Sequence, residues 1–268
     1  MKEVRKVFIY GSDTESTAAF MPRLTAALDS SGITVSDVPG DDVDMIIVVG
    51  GDGTFLRLLR DWNFPRIPIA GINTGHLGFF MEYMPAELDL FISDMLSGNY
   101  SIHRHRPLQA SVTHSGGKKD VYKGVNDVVI RKNASSIVHL DLSIGDNFIE
   151  RFSGDGLLIS TPAGSTSYNY SVGGGIVDPR VSVIQVSPIA PMNTTSYRSF
   201  TSDVILPSDM TVKVEPEHKG SSGVVIVDGA EYWYEHLESI SACLIQDEIL
   251  LVRKTDYSYW NWVAQKFI

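Results

Sequence analysis

Residues 45–56 read Met45-Ile46-Ile47-Val48-Val49-Gly50-Gly51-Asp52-Gly53-Thr54-Phe55-Leu56. The apolar, largely β-branched run predicts a strand buried on both faces, and the glycines end it. Phe55, Leu56, Leu58 and Leu59 then supply the apolar face of a helix. Strand, glycine turn and helix form the repeating unit of a parallel sheet covered by helices. The unit recurs on both sides. Residues 4–10 read as a strand closed by Gly11-Ser12-Asp13, and Phe20, Met21, Leu24 and Leu28 follow at helical spacing until Ser31-Gly32. Residues 67–72 form a third strand and residues 88–96 a further helix.

Beyond residue 100 the helical period fades. Short β-rich runs at 108–113, 125–131, 137–144, 156–160, 183–186, 202–206, 211–214, 224–227, 240–244 and 250–254 follow one another. Turn signals such as His114-Ser115-Gly116-Gly117, Gly145-Asp146-Asn147 and Asp228-Gly229 separate them. In the tail, Trp260, Val263, Ala264 and Phe267 share one helical face, which predicts docking onto the first domain. The expected architecture is a Rossmann-like α/β domain with a parallel sheet, residues 1–100 joined by the tail 255–268. An all-β, sandwich-like domain, residues 101–254, follows it.

The chain has 268 residues, 43% hydrophobic and 20% charged, which excludes a disordered chain. Its one cysteine, Cys243, calls for no oxidising compartment. The amino-terminal apolar stretch is too short for a secretory signal, and no run reaches the roughly 18 apolar residues of a membrane helix. The cytoplasm is therefore the expected location. Lys and Arg number 22 against 32 Asp and Glu, a net charge of −10. With no basic patch to cover phosphate backbones, nucleic acid is not an expected partner.

Gly50-Gly51-Asp52-Gly53-Thr54 lies where a strand hands over to a helix, where unpaired N–H groups and the helix dipole attract anions. No Lys follows as GxxxxGK[ST] requires, and GxGxxG lacks its third glycine. Asp52 would repel a phosphate, so it suits a base or a metal anchor; a plain turn with Asp opening the helix is the alternative. Asn73-Thr74-Gly75-His76-Leu77-Gly78-Phe79-Phe80 follows the third strand and would share the same sheet edge. Its polar groups suit a ligand, and Phe79 or Phe80 would either stack on a base or pack in the core. Asn126-Asp127 breaks an apolar run. Gly154-Asp155-Gly156 leads into Thr161-Pro162-Ala163-Gly164-Ser165-Thr166-Ser167-Tyr168-Asn169-Tyr170-Ser171, too aromatic for a flexible linker and without a GxSxG elbow. His103 and His105 alternate on one strand face, but Arg104 and Arg106 flank them and no third ligand lies near in sequence.

In order and spacing these stretches resemble the NAD kinase family along nearly the whole chain. Phosphofructokinases and diacylglycerol or sphingosine kinases share the core of residues 50–54; residues 73–79 and 161–169 single out the NAD kinases. The resemblance implies transfer of the γ-phosphate of ATP, or a phosphate of polyphosphate, to the 2′-hydroxyl of the adenosine ribose of NAD. Mg²⁺ or another divalent metal would assist. Asp52 matches the catalytic base, and Gly50, Gly51, Gly53 and Thr54 match the phosphate loop. Asp52 and Gly53 also fall among the family's NAD-contacting positions. Phe79 and Phe80 match positions lining the adenine region, and Asn126 and Asp127 a pair touching the adenosine part of NAD. Asp155 matches a residue near the nicotinamide end, Thr166, Ser167, Tyr168 and Ser171 a second nucleotide-contacting stretch, and Ala190 a wall of the site. The nicotinamide end is often completed by a neighbouring subunit, so a homo-oligomer is implied, a dimer or commonly a tetramer. Two positions depart from the pattern. Ser153 stands where many relatives have Arg, leaving Arg151 as the nearest cation, and Ala230 where Gln is frequent. A lipid or sugar kinase sharing the glycine loop, or a non-catalytic NAD sensor, are the alternatives.

Overall fold

The computed structural model describes residues 4–132, 137–195 and 198–268. Two compact units are present, one running to His105 and taking in Glu248–Ile268, the other Arg106–Asp247.

The first unit contains β1 (Lys6–Gly11), α1 (Glu15–Ser30), β2 (Thr34–Ser36), β3 (Met45–Gly50), α2 (Asp52–Asp61), β4 (Ile69–Asn73), α3 (Leu88–Ser97) and β5 (Tyr100–His105). Every residue of β3 is buried. Met45, Ile47 and Val49 join a core with Phe20, Leu24 and Leu28 of α1 and Phe91 and Met95 of α3. Helix α2 packs on β3 and buries Phe55, Leu58 and Leu59.

The second unit contains β6 (Leu108–His114), β7 (Lys118–Gly124), β8 (Asp127–Arg131), β9 (Val138–Ile144), β10 (Asn147–Gly154), β11 (Gly156–Ser160), α4 (Tyr168–Ser171), β12 (Val183–Ile189), β13 (Val204–Pro207), β14 (Val212–Pro216), β15 (Ser221–Val227) and β16 (Ala230–Leu244). They form one antiparallel sheet of eleven strands, curled over a shared apolar core that includes Leu140, Phe152, Ile159 and Ile240. Strand β16 pairs with β15 along its first half and with β6 and β14 along its second. The Asp228-Gly229 hairpin that opens it has φ +47° and +80°, the left-handed pair that a two-residue turn requires.

Two readings of the sequence are corrected. Residues 250–254 were placed in the β-rich half, yet β17 (Ile249–Lys254) lies in the first unit's sheet, ordered β2-β1-β3-β4-β17-β5. It runs parallel to β4 and antiparallel to β5, so the sheet is mixed and the units divide at His105 and Glu248 rather than at residues 100 and 254. An isolated β-run carries no mark of which distant strands it will join. The tail helix α5 (Tyr259–Phe267) forms, but Trp260 is 50% exposed and Ala264 is exposed as well. The packed face is Tyr259, Val263 and Phe267, one helical turn apart, with Phe79 between the two rings at 6.2 and 6.1 Å.

Candidate active site

Order β2-β1-β3-β4 reverses direction between β1 and β3, and ligands bind such sheets at the carboxyl edge beside the reversal. The loops after β1, β3 and β4 meet there. Ser12 N–H bonds to Val49 O at 2.9 Å, and Thr74 N–H to Gly50 O at 3.0 Å. Thr17 Oγ1 shares a 2.7 Å hydrogen bond with Thr74 Oγ1. Asn73, 1% exposed, folds the loop by accepting from Gly75 N–H at 2.9 Å and donating to His76 O at 3.0 Å.

Helix α2 starts at Asp52, with Gly51 as N-cap and Thr54 Oγ1 accepting Gly51 N–H at 3.4 Å. Asp52 reaches across to the loop after β4. Its Oδ2 accepts Phe79 N–H at 2.8 Å and its Oδ1 accepts Phe80 N–H at 3.0 Å. Gly78 makes this possible: a Cβ there would lie 2.1 Å from Asp52 Oδ1. The sequence reading did not single out Gly78, whose signal is only a glycine just before the two phenylalanines.

Phe79 and Phe80 give this site backbone N–H groups and no free ring face. Phe80, 3% exposed, stacks on Phe55 at 4.5 Å and 13°, and Phe79, 8% exposed, packs under α5. Apolar burial against α2 and α5 accounts for this packing of both rings.

The second unit gathers a separate group. Asp228, which sequence reading treated only as a turn residue, accepts N–H bonds from Val125, Asn126 and Asp127 at 2.7, 2.8 and 3.2 Å. Thr161 Oγ1 donates to Val125 O at 2.5 Å, and Thr161 N–H to Asn126 O at 2.9 Å. Gly164 lies so close that a Cβ would meet Asn126 O at 2.1 Å. Residues 161–171 are therefore bolted to residues 125–127. Fully buried Asn169 accepts from Ser187 Oγ at 2.7 Å, which fixes α4. Thr166 is buried, Ser167 half-buried, and Tyr168 and Ser171 exposed. Asn126 is 7% exposed, and its Oδ1 has no hydrogen-bond partner among the described residues, an acceptor suited to a ligand donor.

Burial, helped by the Asp228 charge, pushes the Asp127 carboxyl up to about 7. Folding then favours its protonated form. Its contribution to stability is complete below about pH 4 and is lost as pH rises through about 7. The melting temperature of the ligand-free protein should fall as pH rises from about 4 to about 7 and level off above, and Asp127→Asn should flatten that fall. Parallel melting curves for both proteins would show that Asp127 titrates elsewhere.

Asp155 and Ala190 are exposed neighbours, with Asp155 N–H bonded to Ile189 O at 2.9 Å and Ala190 at φ +45°. They lie at the Gly156 end of β11, whereas Asp127 pairs with Ser160 at the other end. Gly156 and Ser160, the two ends of β11, lie four strand rises or about 13 Å apart. The chain's own fold does not bring Asp155 and Ala190 to the Asn126 group.

Ser153 is fully buried, its Oγ 2.8 Å from His139 Nδ1. Arg151 is no substitute for the missing Arg, since Asp141 holds it at 2.7 and 3.1 Å and Glu217 at 2.9 Å. Ala230 opens β16 opposite Val227. His105 is buried, and burial with the Arg253 charge pushes its imidazole down to about 3. Among the described residues no three His, Cys, Asp or Glu side chains converge as a metal cage.

A glycine-and-aspartate turn at the switch point of an α/β unit is followed in one chain by a β unit with its own group of polar residues, and the families that match such a chain are phosphotransferases. Family models match both: the ATP-NAD kinase N-terminal domain over residues 26–100 and the ATP-NAD kinase C-terminal domain over residues 125–243. The chain is 37% identical over 227 residues to the NAD kinase of Finegoldia magna, covering 83% of each. It is 31% identical over 268 residues to that of Pediococcus pentosaceus, covering 98% of this chain and 97% of the relative. The chain belongs to the NAD kinase family. Two solved structures share its fold. Yeast NADH kinase complexed with NADH has TM-score 0.86 and 21% identity, covering 100% of this chain and 89% of that one. An NAD kinase from Archaeoglobus fulgidus in complex with ATP has TM-score 0.79 and 20% identity, covering 97% and 98%.

Proposed function

We propose that the chain transfers the γ-phosphate of ATP to the 2′-hydroxyl of the adenosine ribose of NAD, making NADP, with Asp52 as general base. One observation carries the role of Asp52: its carboxylate is held by two backbone N–H groups at the amino end of α2, on the sheet edge where ligands bind. Phosphoryl transfer asks the protein chiefly for positioning and charge neutralisation. Gly53 would receive a phosphate oxygen on its backbone N–H at the start of α2, while Gly50, Gly51 and Thr54 shape the turn, the Gly51 and Thr54 N–H groups being bonded within it. Asp52 would accept the proton of the attacking hydroxyl. Mg²⁺ suits this site as part of the nucleotide substrate, because it keeps its waters and binds phosphates with few protein carboxylates.

Asn126, Asp127, Thr166, Ser167, Tyr168 and Ser171 would hold NAD. A lipid or sugar kinase would need only the glycine loop, and a mere sensor would not need Asp52. Labelled ATP offered with NAD, diacylglycerol, sphingosine or hexoses separates these readings. Label should pass to NAD alone; transfer to a lipid or sugar would overturn the proposal.

Tyr168, 37% exposed on α4, is free to stack on a base. Losing a stacking aromatic costs about 1–3 kcal/mol, so Tyr168→Ala should weaken NAD binding up to roughly a hundredfold and ATP binding far less. An unchanged Michaelis constant for NAD would make Tyr168 structural.

The assembly is proposed as a homo-oligomer, a dimer or tetramer in the cytoplasm, in which Asp155 and Ala190 of one subunit serve a neighbour's NAD. Their place at the far end of β11 from Asp127 supports this. Sedimentation should find no monomer at assay concentrations; an active monomer would refute the shared site.

A further inference from the structure

Arg253 of β17 is 3% exposed, and so is Glu82, its partner at 2.9 Å from Nη1. The other guanidinium nitrogen, Nη2, donates to Phe79 O at 2.5 Å. Tyr257 covers the group, its ring centre 4.2 Å from Cζ. Phe79 C=O and Phe80 N–H belong to one peptide group, and that N–H donates to Asp52 Oδ1 at 3.0 Å. One rigid peptide plane thus connects the guanidinium to the Asp52 carboxylate. A cation on the carbonyl oxygen draws electron density from the N–H and strengthens its hydrogen bond to the carboxylate.

A buried ion pair is weak evidence for a stabilising role, because well-packed apolar residues usually serve stability as well or better. This pair is also incompletely satisfied, since Arg253 Nε is buried without a partner among the described residues. What the fork achieves that apolar residues would not is the simultaneous hold on Glu82 and on the peptide facing Asp52. From this geometry we infer that Arg253, aligned by Glu82, is a positioning residue that sets the Asp52 carboxylate through the Phe79–Phe80 peptide. The inference rests on Asp52 being the base. The sequence gives no sign of it, because an arginine near the end of a strand reads as an exposed terminus.

The test uses the full chain. Arg253→Met alone would leave Glu82 buried and unpaired, so the double variant Arg253→Met with Glu82→Met is used, with Arg253→Lys as the conservative partner. The double variant should melt near wild type and keep both Michaelis constants within about twofold, while turnover falls about ten- to a hundredfold, as for a slightly misplaced catalytic group. Amide exchange at Phe80 should quicken by about tenfold or more, with β3 amides unchanged. Arg253→Lys, whose single ammonium cannot hold both acceptors, should lie between on both readouts, and it carries the test if the double variant does not fold. In an Asp52→Asn background the double change should lower turnover by no more than about twofold further. Wild-type turnover in a folded variant, unaltered Phe80 exchange, or a full additional loss beside Asp52→Asn would each overturn the inference. If Asp52→Asn alone keeps its turnover, the base reading fails, and Phe80 exchange still decides the clamp.

Discussion

Asp52→Asn is expected to cut the turnover of NAD phosphorylation by at least about a hundredfold, the lower end of what general-base catalysis supplies. A ribose hydroxyl is a poor nucleophile at neutral pH, and an amide cannot take its proton. NAD affinity should stay within about twofold of wild type, because the change removes chemistry rather than binding surface. The melting temperature should drop slightly. Both carboxylate oxygens accept backbone N–H groups, from Phe79 and Phe80, so the amide NH₂ of Asn would face one donor with another. That loss is worth about 1–3 kcal/mol. A variant retaining more than about a tenth of wild-type turnover would leave Asp52 as the clasp of the loop after β4 and not the base.

Gly78→Ala should be nearly as damaging, at a residue that contributes no reactive group. The new Cβ would sit 2.1 Å from Asp52 Oδ1 and 2.4 Å from Cγ, so the carboxylate must leave its place. A displacement of about 1 Å at a reacting group slows an enzyme on the order of a hundredfold, and overpacking costs about 1–3 kcal/mol of stability. The expected pattern is a large fall in turnover with a modest fall in melting temperature. Near-normal turnover in Gly78→Ala would show that Asp52 works from another position.

Much of this is legible in the sequence alone. The strand–turn–helix units of the first half were readable because β3 is buried on both faces and α1 on one, which leaves unmistakable apolar periods. The turn at Asp52 was readable because a strand, glycines and a helix in that order leave few conformations. The failures share one cause. Whether β17 joins β4, or α5 presents Tyr259 rather than Trp260, depends on residues far away in the chain. Phe79 and Phe80 look like stacking rings, but their backbone serves the site while their side chains fill the core. Asp228 meets the backbone N–H groups of Val125, Asn126 and Asp127, which leave no letter in the sequence, and Arg253 meets a backbone carbonyl and a glutamate far away in the chain.

The most direct measurement is the identity of the product when the purified chain receives NAD, ATP and Mg²⁺. NADP should accumulate in step with ADP, read by an NADP-specific dehydrogenase, and should nearly vanish with Asp52→Asn under the same conditions. ADP released without NADP, or NAD bound without being phosphorylated, would contradict the account.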